Sequence, residues 1–136
     1  FDLGGRYAIA ETGITLGGAV QNLGGDATFV AQSFPLPRTL RAGAAYSRAI
    51  PRWNGKGSLS AEARKSRGDD ARLHVGGELE LRERLALRAG AKFGYDDEDL
   101  SFGIGLIRGR IHFDYALVPL SSNLGTTHFF SLTARL

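Results

Sequence analysis

The sequence predicts an all-β protein, an up-and-down antiparallel transmembrane β-barrel whose single domain covers residues 1–136. The first observation is an apolar residue at every second position of successive segments, with small or polar residues between. A period of two places the two sets on opposite faces of a strand. The second observation is that short turns alternate with longer polar loops, as in outer-membrane barrels. In the last three segments the apolar positions are Leu100, Phe102, Ile104 and Leu106, then Ile111, Phe113, Tyr115 and Leu117, then Phe130, Leu132, Ala134 and Leu136.

Nine strands are predicted, and no helix of useful length. The longest irregular stretch, residues 23–38, contains a Gly pair and the Pro35 and Pro37 break, which interrupt regular structure. Asn54-Gly55 and Arg108-Gly109 indicate tight hairpin turns. The predicted strands are residues 1–9, 13–22, 40–47, 58–64, 72–81, 85–93, 100–106, 110–117 and 130–136.

The loops fall into two sets that alternate along the chain. The short connections are residues 11–13, 51–56, 82–84 and 108–109, and the longer ones are 23–38, 65–70, 95–99 and 119–126. Because outer-membrane barrels have short periplasmic turns and longer outer loops, this alternation favours such a barrel.

Composition excludes several other classes of protein. With 43% hydrophobic and 23% charged residues the chain is predicted to fold, and its formal charge of +3 forms no basic stripe for nucleic acid. The sequence contains no apolar run of the roughly 20 residues that a transmembrane helix needs. Residues 1–7 already alternate in strand rhythm, so we expect a mature or truncated chain that does not close into a barrel alone.

Alternation does not say which face points inward. In a soluble antiparallel barrel the apolar face is the interior and binds a small apolar ligand, whereas in a membrane barrel it contacts lipid. The polar face mixes both signs of charge with many glycines, which favours a confined lumen. We therefore predict that the lumen is lined by Arg41, Glu62, Arg64, Arg72, His74, Glu78, Glu80, Arg88, Lys92, Arg110, His112, Asp114 and Arg135. The predicted lipid-facing residues are Leu79, Leu87, Phe102, Ile104, Phe113, Tyr115, Phe130 and Leu132.

Charged residues on the polar face are expected to pair across neighbouring strands. Glu62, Glu78 and Glu80 share that face with Arg64, Arg72 and Arg88. Residues opposite each other on one face approach to about 4.5–5.5 Å at Cβ, which allows pairing.

Several sequence phrases carry a family resemblance. They are VQNLG (20–24), FPLPRTLRAGAAY (34–46), LALRAG (85–90), FDYALVP (113–119), NLGTTH (123–128) and FSL (130–132). In this order, over nearly the whole chain, they resemble the PorV/PorQ family of outer-membrane proteins, which is related to FadL-type transporters. The resemblance implies a barrel of about fourteen strands, of which this chain holds the C-terminal nine, without any N-terminal plug. It also implies the outer membrane of a Gram-negative bacterium. The implied partners are membrane lipid with either type IX secretion proteins and cargo or hydrophobic small molecules.

The sequence does not predict a catalytic or metal-binding site. His74 and His112, the latter beside Asp114, fall on the polar face, but two histidines lack a clear third metal ligand. A Ser-His-Asp hydrolase is disfavoured because the sequence has no Gly-x-Ser-x-Gly elbow. The acidic run 96–99, with Asp69 and Asp70 at the same end, has ligands suited to Ca²⁺, although such loops are usually only solvated. We therefore predict no enzymatic activity, cofactor or metal.

The aromatic residues are interpreted as structural. Those expected at the membrane interface or on the apolar face are Tyr7, Tyr46, Trp53, Tyr95 and Tyr115.

Overall fold

The computed structural model describes residues 1–24, 27–29, 32–34, 37–95, 99–120 and 125–134, with only the backbone described at 27–29, 32–34 and 99. Within these ranges the protein is all-β. The strands are β1 (Leu3–Ile9), β2 (Ile14–Gln21), β3 (Ala27–Phe29), β4 (Gln32–Phe34), β5 (Thr39–Ile50), β6 (Gly55–Ser66), β7 (Ala71–Leu81), β8 (Leu85–Phe93), β9 (Asp99–Arg108), β10 (Ile111–Pro119) and β11 (Thr126–Ala134). One 3₁₀ turn, Pro51–Trp53, links β5 to β6. In the described part of the chain, no helix has the length and apolar character needed to cross a membrane.

Nine of the strands form one sheet in the order β1-β2-β5-β6-β7-β8-β9-β10-β11. Every neighbouring pair is antiparallel, so the chain runs up and down across the sheet. This confirms the predicted nine-stranded antiparallel arrangement. The strands β1 and β11 are the two edges of this sheet, and both run in the same direction because seven alternating strands separate them.

The segment predicted as irregular differs from the prediction. Within it, β3 and β4 pair with each other as a separate two-stranded sheet, with Thr28 opposite Ser33. Each of these strands has only three residues. A run of three is too short to show the period of two on which the sequence prediction depends.

Two strands extend further than the sequence pattern indicated. Both β5 and β6 contain twelve residues, and their pairing continues to Ile50 opposite Gly55. Alternation then places Arg48 and Lys65 on the apolar face, near strand ends, and Arg108 ends β9 in the same way. The apolar face therefore carries charged residues near some strand ends. Backbone pairing does not depend on side-chain polarity, and long cationic side chains can extend past a strand end toward water.

The register of the sheet is staggered in one direction. One row of paired residues runs from Ile14 through Tyr46, Leu59, Gly77, Ala89, Phe102 and Leu117 to His128. Ile14 is the first residue of β2, at the short-turn end, whereas His128 lies six residues before the end of β11 at that same end. A stagger of this kind accompanies the strand tilt that barrel closure requires.

The polar face of the sheet is less exposed than the apolar face, which is the reverse of a sheet in a water-soluble protein. The buried residues of the described chain are Thr39, Ser66, Ala86 and Gly105, and all four lie on the polar face. Large side chains on the apolar face remain exposed, with Phe130 at 71% and Leu132 at 72%. Along β5 and β9, residues of the polar face are generally less exposed than their apolar neighbours. The described chain therefore has no apolar core of its own.

Gly13 fixes the tight turn between β1 and β2. Its φ of +75° lies in the left-handed region, and a Cβ there would sit 2.1 Å from the carbonyl oxygen of Ser47. The Gly13 carbonyl also accepts a 2.9 Å hydrogen bond from the Ser47 backbone N–H. Only glycine fits both the conformation and this contact with β5.

Candidate functional site

The structure separates the predicted residues onto two faces of the sheet. Eleven of the predicted lumen residues share the polar face, namely Arg41, Glu62, Arg64, Arg72, His74, Glu78, Glu80, Arg88, Lys92, His112 and Asp114. All eight predicted lipid-facing residues share the opposite face. Arg110 differs, because it lies with Gly109 in the turn between β9 and β10 and not on a strand. Arg135 lies outside the described residues. Which face meets lipid stays a prediction.

Arg88 is the centre of a charged network on the polar face. Its Nε donates to Glu78 Oε2 at 2.5 Å, and its Nη1 donates to Asp114 Oδ1 at 2.6 Å. Glu78 stands directly opposite Arg88 on β7, so the first contact is the predicted cross-strand pair. The second contact reaches β10, two strands away. One guanidinium thus links three strands through two charge-assisted hydrogen bonds.

Glycines on β9 make room for the longer of these contacts. Gly105 lies between Ala86 and Asp114 in the register, and Gly103 lies opposite Arg88. A Cβ on Gly105 would stand 2.7 Å from Asp114 Oδ1 and 3.3 Å from Arg88 Nη1. The ion pair therefore occupies the space that a side chain at position 105 would fill.

A second ion pair joins β5 to β6. Arg41 Nε and Nη2 donate to Glu62 Oε1 at 3.0 and 2.7 Å, and Nη2 also donates to Oε2 at 2.9 Å. Glu62 shares its face with Arg64 and Arg72, and its hydrogen-bonded partner is Arg41, diagonally across the strand pair. The side chains of Arg41 and Glu62 are 42% and 33% exposed, so water weakens this pair.

Tyr95, interpreted from the sequence as a membrane-interface or apolar-face aromatic, lies just beyond the end of β8 and contacts His74 of the polar face. His74 Nε2 and the Tyr95 hydroxyl are 2.8 Å apart, and the two rings stack with centroids 5.8 Å apart. The Arg72 guanidinium lies over the Tyr95 ring at 4.4 Å. Gly94, with a φ of +82°, ends the extended conformation after β8, so strand alternation no longer decides where Tyr95 points.

The histidines considered as metal ligands are not brought together. His74 lies on β7, and His112 lies on β10 opposite Ile107 and Thr133. Among the described residues no group of three or more His, Asp or Glu side chains is arranged to hold a metal ion. Residues 96–98 of the acidic run, and the side chain of Asp99, lie outside what the structure describes.

An aromatic cluster on the apolar face includes a residue that the sequence interpretation missed. The Tyr115 hydroxyl and His128 Nδ1 are 2.8 Å apart, and the Tyr115 and Phe130 ring centroids are 5.0 Å apart. Phe113 extends the cluster to Phe130 at 6.5 Å. The sequence signal for His128 was its position two residues before Phe130, which places both on one face.

Each face also carries an open concavity. On the polar face, a space of about 580 Å³ has Arg6, Arg41, Glu62 and His74 at its margins and small residues at its floor. On the apolar face, a groove of about 710 Å³ is lined by small residues, with Tyr46, Leu59 and Phe102 around them. Charged side chains border the first space, and the lining of the second is almost entirely apolar.

Comparisons of the chain with protein-family models, with curated proteins and with solved structures find no match. What the geometry defines is an all-β protein with one nine-stranded antiparallel sheet. One face of this sheet is charged, with some of its charges paired, and the other is apolar and uncovered.

Proposed function

We propose that this chain is part of an outer-membrane β-barrel of the PorV/PorQ type. In this proposal the apolar face of the sheet contacts lipid and the polar face lines the lumen. The barrel acts without enzymatic chemistry, in protein secretion of the type IX kind or in the passage of hydrophobic compounds across a Gram-negative outer membrane. The sequence phrases given above support the family, and the sheet supports the class.

The observation that carries the proposal is the inverted distribution of exposure. Soluble proteins rarely leave a contiguous apolar patch larger than a few hundred Å² in water. Here the apolar face includes Leu3, Leu59, Phe130 and Leu132, each at least 66% exposed. Residues of the polar face are generally less exposed than those of the apolar face, as expected on the inner side of a curved sheet. Lipid is the solvent that suits an uncovered face of this kind.

Strand geometry gives separate support. The one-directional stagger of the register accompanies strand tilt, and barrels in the outer membrane have tilted strands. Short connections, such as Gly109-Arg110, gather at one end of the sheet, and longer ones, such as 67–70, gather at the other.

Single-chain bacterial barrels close with an even number of antiparallel strands. Since β1 and β11 run in the same direction, antiparallel closure requires further strand structure beyond the nine.

A soluble barrel that binds an apolar ligand is the second candidate, and the groove of about 710 Å³ on the apolar face favours it. That alternative requires the apolar face to be the interior and the charged face to meet water. It predicts a protein that is monomeric without detergent and that binds an apolar fluorescent probe in saturable fashion.

Membrane fractionation separates the two candidates. The protein is produced in a Gram-negative host, and its membranes are washed with alkaline carbonate and then extracted with detergent. A barrel protein should resist the wash and require the detergent, whereas a soluble protein found in the wash would contradict the proposal. Co-purification of a second protein in detergent would favour the secretion role over passive passage.

A further inference from the structure

Three arginines form a row across the polar face. Arg41 on β5 stands directly opposite Arg64 on β6, and Arg64 stands directly opposite Arg72 on β7. Residues in these positions lie about 4.5–5.5 Å apart at Cβ, and like charges placed this way destabilise a sheet. Nothing in the backbone pairing requires arginine at all three positions. The row is therefore an arrangement that a bound anion would stabilise.

The carboxylates of the described chain neutralise the row only in part. Arg41 is paired with Glu62 through three hydrogen bonds. Arg72 has Asp69 at 3.7 Å, a long contact with a side chain that is 54% exposed. Arg64, in the middle, forms no ion pair with any carboxylate of the described residues. Three guanidinium groups thus meet two carboxylates, and the excess positive charge centres on Arg64.

Space for a ligand adjoins the row at its Arg41 end. Beyond Arg41 the same row continues through Ala19 and Gly4, whose small side chains leave that side open. Arg41 also lines the polar concavity of about 580 Å³. At the other end, the Arg72 guanidinium lies over the Tyr95 ring, 4.4 Å from its centroid, and its Nη2 faces Asp69 at 3.7 Å.

Arg88, on the same face, provides a contrast. It has two carboxylate partners, Glu78 and Asp114, both within 2.6 Å. Arg64 has no carboxylate partner within the part of the chain that the structure describes, and two arginines stand directly opposite it. Planar guanidinium forks bind tetrahedral oxyanions in bidentate fashion, and clusters of arginine are the usual receptors for phosphate groups.

We propose that Arg41, Arg64 and Arg72 form a binding site for a phosphate group, either free or carried by a small molecule, with Arg64 as its central ligand. The polar face meets water in both candidates for the function, the membrane barrel and the soluble barrel, so the site does not depend on the choice between them.

Titration calorimetry tests the site on the full protein in a nonionic detergent at low ionic strength. The probes are inorganic phosphate and glycerol phosphate, a monoester, so that the two sources are distinguished. The parent should bind one or both in saturable fashion. Arg64→Gln should weaken binding about tenfold or more, the loss expected for one bidentate charge-assisted contact.

Arg84→Gln is the matched control because it removes the same charge from an exposed turn at the other end of the sheet. It should bind phosphate like the parent. Strand-type circular dichroism checks that each variant is folded, and Arg72→Gln provides a second variant should Arg64→Gln fail to fold. Absence of phosphate binding by the parent, or equal binding by the Arg64 and Arg84 variants, would overturn the proposal.

Discussion

Arg88 on β8 and Asp114 on β10 form an ion pair across the intervening strand β9, with Nη1 and Oδ1 2.6 Å apart. Strands that are not neighbours usually exchange no side-chain contacts of this length. The pair forms because the β9 residue beneath it, Gly105, has no side chain. Gly105 therefore has a structural role, which is to let two long charged side chains meet across a strand.

Replacing Gly105 by alanine should disrupt this pair. The added Cβ would lie 2.7 Å from Asp114 Oδ1, so the carboxylate must move away from Arg88. We expect the free energy of unfolding to fall by about 1 kcal/mol, the usual contribution of a partly exposed hydrogen-bonded pair. The measurement is denaturant unfolding followed by circular dichroism.

Gly103→Ala is the control for that substitution. A Cβ on Gly103 meets its nearest atoms at 3.5 and 3.6 Å, which is ordinary van der Waals contact. It should cost clearly less than Gly105→Ala. Equal losses in the two variants would mean that the β9 glycines are needed for the backbone and not for the ion pair.

Glu78 and Arg88 should be energetically coupled. Their side chains are directly opposite and hydrogen-bonded, and both are partly exposed. A double-mutant cycle with Glu78→Gln and Arg88→Gln should give a coupling free energy of about 1 kcal/mol. Glu11, in the turn after β1, provides the comparison, and its cycle with Arg88 should be additive. Additive behaviour of Glu78 and Arg88 would remove this pair from the network.

Arginine should be tolerated on one face of β10 and not on the other. Phe113 and His112 are adjacent, and their side chains point to the apolar and polar faces respectively. Phe113→Arg should cost about 2–4 kcal/mol if the site is near mid-bilayer, and it should lower the folded yield in the membrane. His112→Arg should give nearly the parental yield. Similar yields for the two variants would contradict the assignment of faces.

The sequence predicted the faces of the sheet better than it predicted the contacts on them. A period of two assigns residues such as Phe113 and Asp114 to opposite faces without knowledge of the neighbouring strands. The partner of Glu62 depends on register between strands, and a choice among Arg41, Arg64 and Arg72 needs that register. The Arg88–Asp114 pair was hidden for the same reason, since it skips a strand.

Turn geometry and strand length explain three further results that the sequence did not predict. Tyr95 follows a glycine with positive φ, and alternation stops there. The strands β3 and β4 have three residues each, which is below the length at which a period can be recognised. Arg110 was assigned to a strand, but it lies in the two-residue turn, where parity has no meaning for the choice of face.

The central claim is that the apolar face contacts lipid, and site-directed spin labelling tests it most directly. The protein has no cysteine, so Ser101→Cys and Ile104→Cys each introduce one labelling site on β9, on the polar and apolar faces respectively. In liposomes, relaxation by oxygen reports contact with lipid, and relaxation by a water-soluble nickel complex reports contact with water. If the apolar face contacts lipid, the label at position 104 should show strong relaxation by oxygen, and the label at position 101 should show strong relaxation by nickel. A label at 104 that is shielded from both agents, or is more accessible to nickel than the label at 101, would contradict it.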